Sequence, residues 1–267
     1  MMKENKLRYM LENNMPTVGT RLQSSWPTVT EMVGATEEYD YIEFLAEYAP
    51  YGQYDFENIA RAAEVHGMGT MIKVDYQNRY YVAQKAIASG FQAVLFTDHR
   101  TAEDVEKTIK MITPECPEFE GSMGFVNRRW VGNNCSMKQE EYAKMASRTV
   151  KVFMIEKKEA VDNIEEICSV PGIDMIQFGP NDFALSSGFN MADNMERVRE
   201  AERKVFEVAI KHGIQPRAEM NTAADVQYYL DLGIRHFNMG MELRILSNFW
   251  KQQGAEINDK IKKAGLK

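Results

Sequence analysis

The chain alternates between short β-rich runs and amphipathic helical stretches along most of its length. We predict eight strands, at Thr17–Leu22, Asp40–Leu45, Thr70–Val74, Gln92–Thr97, Val150–Glu156, Asp174–Gly179, Ile214–Glu219 and His236–Gly240. Helical patterns separate them, for example at Phe56–His66, Tyr80–Ser89, Ala102–Ile112, Lys158–Cys168, Glu196–His212 and Ala223–Leu232. Eight strands with intervening helices in 267 residues favour an α/β fold of the closed (β/α)8 TIM-barrel type over an open doubly wound sheet.

Glycines mark the ends of several of these helices. Gly67, Gly90, Gly213 and Gly233 each follow a helical pattern and lead into the next strand, which is typical of a repeated helix–turn–strand unit. No GxGxxG motif follows the first strand, and this weakens the dinucleotide-binding alternative. We therefore predict one barrel domain over residues 1–267.

Two segments interrupt the alternation. Thr113–Lys138 is a long stretch rich in Gly, Pro and Asn after the fourth strand. Because loops that follow barrel strands lie on the catalytic face, we interpret it as a lid or an intersubunit arm, with a plain insertion as the alternative. Met241–Lys267 is a helical extension that begins apolar and becomes charged. We expect it to cover the barrel, and packing on a neighbouring subunit is a further option.

Charge and cysteine content narrow the class of protein. A formal net charge of −7 and the lack of any long Lys/Arg run argue against nucleic-acid binding. No secretory signal and no run of about 18 apolar residues is found, which argues against a membrane protein. Three scattered cysteines without CxxC spacing are expected to be free thiols, so we predict a cytoplasmic protein.

Two carboxylates stand at the ends of predicted strands, where barrel enzymes place their reactive groups. Glu156 ends strand five, and Asp182 follows strand six. Two carboxylates that converge on one point repel each other unless a cation lies between them, and oxygen ligands in small number suit Mg²⁺ or Mn²⁺. In the alternative interpretation, Asp182 caps its own loop and Glu156 pairs with Lys157 or Lys158.

The segment from Val152 to Phe189 resembles the centre of the HpcH/HpaI family of class II pyruvate aldolases, which act on 4-hydroxy-2-oxo acids. The resemblance is carried by Ile155-Glu156, by Val170-Pro171-Gly172-Ile173-Asp174 and by Gly179-Pro180-Asn181-Asp182-Phe183. It extends over nearly the whole chain, through Gly19, Glu47-x-Ala49-Pro50, Tyr229-Leu230-x-Leu232-Gly233 and Met239-Gly240. The chain is therefore identified as a divergent member of this family.

The resemblance implies a site and a chemistry. Glu156 and Asp182 would bind Mg²⁺ or Mn²⁺, and a 2-oxo acid would chelate the metal. Backbone N–H groups of Asn181 and Asp182 would receive the substrate carboxylate. The metal would polarise the ketone and stabilise a pyruvate enolate. Family members form hexamers, so a homo-oligomer is also implied.

The chain departs from the family pattern at the proton-transfer residues. An Asp-Gly-Glu-His run of the family is replaced by Leu45-Ala46-Glu47-Tyr48, an arginine by Lys73, and a glutamine by Met154. We predict that Lys73 stabilises the oxyanion as a point charge and that Glu47 contributes to substrate binding. Tyr48 would transfer a proton if Lys73 or the metal depressed its pKa; an aromatic pocket wall is the alternative.

Other polar residues at the predicted mouth give weaker hypotheses. Arg21 would bind a second carboxylate or a phosphate of the substrate, or else form an ion pair. Asp98 and His99 would form a replacement dyad, although adjacent residues rarely point the same way. His66 and His212 precede helix-ending glycines and are interpreted as capping residues, and His236 as structural.

These observations together predict a metal-dependent carbon–carbon lyase that acts on a 2-oxo acid through a pyruvate-type enolate. One alternative keeps the enolate but changes the reaction, to a decarboxylase or an acyl lyase, because the histidine is missing. A second alternative is a non-catalytic protein that binds a metal and an oxo acid. Proton exchange at C3 of pyruvate separates the enzymes from the binding protein.

Overall fold

Eight parallel strands close into a barrel in the computed structural model, which describes residues 4–132 and 134–266. The strands are β1 Thr17–Leu22, β2 Tyr41–Leu45, β3 Gly69–Val74, β4 Ala93–Phe96, β5 Val150–Ile155, β6 Met175–Phe178, β7 Gln215–Met220 and β8 His236–Met241. Each strand pairs with the next in chain order, and β8 pairs with β1. The predicted TIM barrel is confirmed.

Twelve α-helices occur in the described residues. They are α1 Lys6–Glu12, α2 Pro27–Gly34, α3 Gln53–Val65, α4 Arg79–Ser89, α5 Ala102–Met111, α6 Gln139–Ser147, α7 Lys158–Asp162, α8 Ile164–Cys168, α9 Pro180–Ser186, α10 Met195–Lys211, α11 Val226–Asp231 and α12 Glu242–Lys263. The helix predicted over Lys158–Cys168 is two short helices that meet at Asn163. None of these helices is long and apolar enough to span a bilayer.

The first helix closes the barrel at the end opposite the strand C-termini. Leu7 of α1 is buried in a cluster of interior side chains that includes Tyr41 and Met71. Arg8 binds both carboxylate oxygens of Asp174, at 2.6 Å each, next to the start of β6. The open end of the barrel is therefore the C-terminal end, where a site is expected.

The long segment after β4 does not cover that open end, and its interpretation as a lid is wrong. It begins after α5 and not after a strand, so the chain has already returned to the opposite end of the barrel. Arg128 then pairs with Glu57 of α3, and Arg129 donates to the Ser89 carbonyl of α4. Of this segment, Asn133 lies outside the described residues.

The C-terminal extension does not cover the barrel either, contrary to expectation. Helix α12 buries only Glu242 among its residues, and the Glu242 carboxylate accepts from the N–H groups of Gln23 and Ser24 after β1. The large apolar side chains of α12 are exposed instead: Leu243, Ile245, Leu246, Phe249, Trp250 and Ile257. Lys267 lies outside the described residues. The helix is anchored at its first turn, and most of its large apolar side chains are exposed in the described part of the chain.

Candidate active site

A cavity of about 310 Å³ opens at the C-terminal ends of the strands. Its wall includes nearly every site residue that the sequence predicts, namely Arg21, Tyr48, Lys73, Glu156, Asn181 and Asp182. Glu43, Glu219 and Arg244, which the sequence analysis did not single out for a role, line it as well. Glu47 does not line the cavity itself, but its carboxylate contacts Lys73, which does. Side chains from seven different strands or strand ends therefore line one cavity.

Glu156 follows the last residue of β5 and is 2% exposed. Its Oε1 accepts the backbone N–H of Asp98 at 2.9 Å, and in the described part of the chain its Oε2 accepts no hydrogen bond. A Cβ at position 179 would lie 2.6 Å from Glu156 Cβ and 3.0 Å from Oε2, so the carboxylate occupies space that only a glycine leaves free. Burial raises the pKa of Glu156 to about 7, against the nearby Lys73 charge that lowers it.

Asp182 lies in the first turn of α9, on the neighbouring strand end. Its Oδ1 accepts from the ammonium of Lys157 at 2.9 Å, and the same ammonium contacts Asp98 at 2.6 Å. Among the described residues, Asp182 Oδ2 accepts no hydrogen bond. Lys157 therefore pairs with Asp182 and not with Glu156, while Lys158 pairs with Asp162 on its own helix.

Lys73 ends the inward face of β3 and is 7% exposed. Its Nζ lies 2.7 Å from Glu47 Oε2 and 4.9 Å from the centre of the Tyr48 ring. Although burial lowers the pKa of Lys73, the charges of Glu156 and Glu47 outweigh it and the pKa is raised. The ammonium therefore stays charged, and Glu47 is its direct counter-ion.

Tyr48 does not meet the condition set by the sequence analysis. Burial raises its pKa to about 12, and the charge of Lys73 only partly opposes this effect. The phenol is therefore protonated in the resting site at physiological pH, where it acts as a hydrogen-bond donor. Its ring also covers Lys73, so the interpretations as proton-transfer residue and as pocket wall are compatible.

Arg21 lines the opposite side of the cavity. Its Nε donates to the Gly240 carbonyl at 2.8 Å, and its guanidinium pairs with Glu219. The ion pair that the sequence analysis raised as an alternative is thus present, inside the cavity and not on the outer surface. Glu219 in turn accepts from Gln177 at 2.8 Å.

The four histidines lie away from the cavity. His99 is fully buried, its Nδ1 donates to the Thr97 carbonyl at 2.8 Å, and its Nε2 accepts from Thr108 at 2.6 Å. Burial lowers its pKa to about 4, so it is a neutral structural residue and the Asp98–His99 dyad does not form. His66 and His212 cap α3 and α10, and His236 binds Thr17.

The residues present fit a divalent metal in an open site. Among the described residues no group of three or more His, Cys, Asp or Glu side chains could hold an ion, so a closed protein cage is absent there. Glu156 and Asp182 each keep one oxygen without a hydrogen bond, and both line the same cavity. Mg²⁺ is commonly held by one or two carboxylates, with water and substrate as the other ligands.

A second cavity lies outside the barrel, between α3, α4 and the long segment after α5. Its carboxylate, Glu57, is bound by Arg61 and Arg128. The charge of the Glu57 carboxylate is thus paired with two guanidinium groups. None of the strand ends lines this cavity. It offers no reactive group comparable to those at the mouth.

Comparisons with known proteins give a family match and several similar relatives. A family model described as HpcH/HpaI aldolase/citrate lyase matches residues 24–248. The chain is similar to the hydroxypyruvate/pyruvate aldolase of Paraburkholderia phytofirmans, at 20% identity over 95% of this chain and 97% of that protein.

Two solved structures share the barrel. An HpcH/HpaI aldolase/citrate lyase family protein from Burkholderia cenocepacia has a TM-score of 0.83 and 20% identity, over 95% of this chain and 99% of that chain. A citrate lyase β subunit from M. tuberculosis, complexed with oxaloacetate and magnesium, has a TM-score of 0.52 and 11% identity, over 84% and 91%. At these identities the likeness establishes the fold.

Proposed function

The chain belongs to the HpcH/HpaI aldolase/citrate lyase family and is a carbon–carbon lyase of oxo acids; from this premise we propose that it uses Mg²⁺ or Mn²⁺ and a pyruvate-type enolate. The observation that carries the proposal is the pair Glu156 and Asp182, each with one carboxylate oxygen available in the same cavity. The magnesium and oxaloacetate named for the M. tuberculosis relative support it, as does the pyruvate in the name of the P. phytofirmans relative.

Glu156 and Asp182 would hold the ion. When bound, the ion supplies Lewis-acid polarisation of the substrate's 2-oxo group. Backbone N–H groups of Asn181 and Asp182 lie in the first turn of α9, where a helix offers donors without partners inside the helix. We assign the substrate carboxylate to these two donors.

Lys73 provides a fixed positive charge next to the developing enolate oxygen. Its pKa is raised by Glu156 and Glu47, so it remains protonated throughout the reaction. A preoriented charge stabilises the transition state because it needs no reorganisation during the reaction. Glu47 keeps Lys73 in place at 2.7 Å.

We assign Tyr48 as the donor of the proton that C3 of the substrate must receive after the C3–C4 bond breaks. A pKa of about 12 keeps the phenol protonated at neutral pH, so it is ready to donate. Among the described residues no histidine reaches the cavity to perform this step. The proton from the C4 hydroxyl passes in the same cleavage step to solvent water in the open cavity, and Tyr48 regains its own proton from solvent afterwards.

Proton exchange at C3 of pyruvate in deuterated buffer tests this function. With Mn²⁺, the wild type should exchange well above the buffer rate, and Glu156→Ala should lose the activity by about 100-fold or more. Tyr48→Phe should lose about 10- to 100-fold. Glu159→Ala, an exposed carboxylate three residues further along that pairs with Arg100, should behave as the wild type. Wild-type exchange at the buffer rate would refute the enolate chemistry.

A decarboxylase or acyl lyase is the second candidate, favoured by the lack of a histidine at the described part of the mouth. It keeps the enolate and therefore the proton exchange. Rapid decarboxylation of oxaloacetate with no cleavage of any 4-hydroxy-2-oxo acid would select it. Binding of oxalate without any exchange would instead indicate a non-catalytic binding protein.

We also propose a homo-oligomer, a hexamer by family resemblance, in which α12 contributes to the interface. Phe249 and Trp250 are 60% and 65% exposed on this helix, and such a contiguous apolar surface indicates a protein contact. Light scattering should give an oligomer for the wild type and a smaller species for Phe249→Glu/Trp250→Glu. A monomeric wild type at micromolar concentration would contradict the proposal.

A further inference from the structure

Lys157, which the sequence offered only as an alternative partner of Glu156, contacts two other carboxylates. Its ammonium lies 2.9 Å from Asp182 and 2.6 Å from Asp98, and its side chain is 15% exposed. The charge of Glu156 is also close enough to raise its pKa. A cation of the protein itself thus stands beside both proposed metal ligands.

Asp98 connects the two ligands through a strained backbone. Its φ of 61° lies in the left-handed region, which non-glycine residues adopt at a cost and Asp and Asn tolerate best. In this conformation its N–H reaches Glu156 Oε1 at 2.9 Å, while its carboxylate holds Lys157. One residue therefore fixes Glu156 directly and Asp182 through Lys157.

The charges around the pair are nearly balanced for one divalent ion. Four carboxylates, those of Glu47, Asp98, Glu156 and Asp182, face the two ammonium groups of Lys73 and Lys157. When all are ionised, two negative charges remain in excess. Removal of either member of the Asp98–Lys157 pair changes this excess by one charge in opposite directions.

We propose that Lys157, held by Asp98, is a built-in counter-charge that sets how tightly the Glu156–Asp182 pair binds its divalent ion. The proposal rests on the metal site of the proposed function and adds two positioning residues to it. Lys157 holds Asp182 Oδ1, so that Oδ2 is the oxygen left for the ion. Its charge also repels the ion, and the measured affinity is the result of both attraction and repulsion.

Binding of Mn²⁺ to the metal-stripped full-length protein, followed by the electron paramagnetic resonance signal of free Mn²⁺, tests this without any activity measurement. Lys157→Met should bind Mn²⁺ about tenfold tighter or more, because a charge a few ångströms from a divalent ion is removed. Asp98→Asn should bind about tenfold weaker, since asparagine keeps the backbone conformation and removes only the charge.

The double variant and a neighbouring lysine complete the design. Asp98→Asn/Lys157→Met restores the charge balance and should bind within about threefold of the wild type, as expected when the net charge decides. Lys158→Met is the matched control, because Lys158 pairs with Asp162 on the outside at 2.5 Å; it should change the affinity less than twofold.

The outcomes separate this inference from the metal site itself. If the wild type binds Mn²⁺ and Lys157→Met binds equally or more weakly, the inference is overturned and the metal site stands. Equal effects of Lys157→Met and Lys158→Met would also overturn it. If neither the wild type nor any variant binds Mn²⁺, the proposed metal site fails as well.

Discussion

The two halves of the barrel interior are built from different chemistry. Apart from Lys73 at the mouth, the interior side chains of β3 to β5, with the first of β6, are apolar and form one buried cluster: Met71, Ala93, Leu95, Val150, Val152, Met154 and Met175. From the middle of β6 through β7, β8, β1 and β2 they are polar: Gln177, Arg217, Glu219, His236, Asn238, Arg21 and Glu43. Glu156 and Asp182, the proposed metal ligands, lie above the apolar half, at the ends of β5 and β6.

The polar half is one connected network. Arg217, fully buried, pairs with Glu43, donates to Gln177 and binds the Tyr41 hydroxyl at 2.6 Å. Asn238 also donates to Glu43, and Gln177 continues to Glu219 at the mouth. Apolar packing loses stability gradually when one group is removed, whereas a buried network fails when one member leaves its partner unpaired. The two halves should therefore respond differently to substitution.

The largest effect is expected at Arg217. Among the described residues, Arg217→Met leaves Asn238 as the one donor to the buried Glu43 carboxylate, which should lower the free energy of unfolding by about 3–5 kcal/mol. Glu43→Leu/Arg217→Met removes both charges and should recover most of that loss, since a buried ion pair can be replaced by apolar residues at small cost. Urea-induced unfolding measures both values.

Leu95→Ala in the apolar half provides the comparison. It removes buried methyl groups and should cost about 2–5 kcal/mol. Because Leu95 shares no hydrogen-bond partner with Arg217, the two losses should add to within about 0.5 kcal/mol. If the losses of unfolding free energy for Glu43→Leu and Arg217→Met were additive, the polar half would not be a network. The two halves of the barrel interior would then not differ in how they respond to substitution.

A smaller, pH-dependent effect is expected from His236 at the start of β8. Burial lowers its pKa to about 4 from 6.5, and its ring binds Thr17 at 3.0 Å. Between these two values the unfolded chain binds a proton that the folded chain does not, so stability falls as pH falls from 6.5 towards 4. The contribution lost by pH 5 is about 2 kcal/mol.

His236→Gln removes this titration from the polar half. Its unfolding free energy should decline less than that of the wild type between pH 7 and pH 5. His212→Gln is the matched control, because His212 lies at the end of α10 beside the exposed Glu165. If the wild type and His236→Gln show parallel curves, the acid sensitivity arises elsewhere.

Local patterns in the sequence were sufficient for the barrel. All eight strands were predicted to within two residues at each end, because an apolar run and a helix-ending glycine are both local signals. Glycine at 67, 90, 213 and 233 has the positive φ that such a turn needs. The position of the long segment after α5 was missed because its start was counted from β4 and not from the helix between them.

Partners across the barrel could not be predicted in the same way. Glu43 and Arg217 are 174 residues apart. Glu43 is a single charge within Tyr41–Leu45, whereas Arg217 shares its strand with a second charge, Glu219. The sequence did offer one signal. Glu43 lies two residues before Leu45 and Arg217 lies two residues before Glu219, so each charge is at an inward-pointing position of its strand. Lys157 was weighed only as a partner of its neighbour Glu156, whereas its contacts belong to residues 59 and 25 positions away.

The smallest effect is expected at Arg21, where the polar network reaches the mouth. Arg21→Lys keeps the charge but loses the fork that binds both Glu219 and the Gly240 carbonyl, so it should cost about 1 kcal/mol in unfolding free energy. If Arg21 also binds a second carboxylate of the substrate, KM should rise more for oxaloacetate than for pyruvate. An equal rise in KM for both substrates would indicate that Arg21 holds Glu219 in place and does not bind a second substrate carboxylate. The polar half would then support the wall of the cavity, and discrimination between substrates would have to come from residues near the proposed metal ligands Glu156 and Asp182.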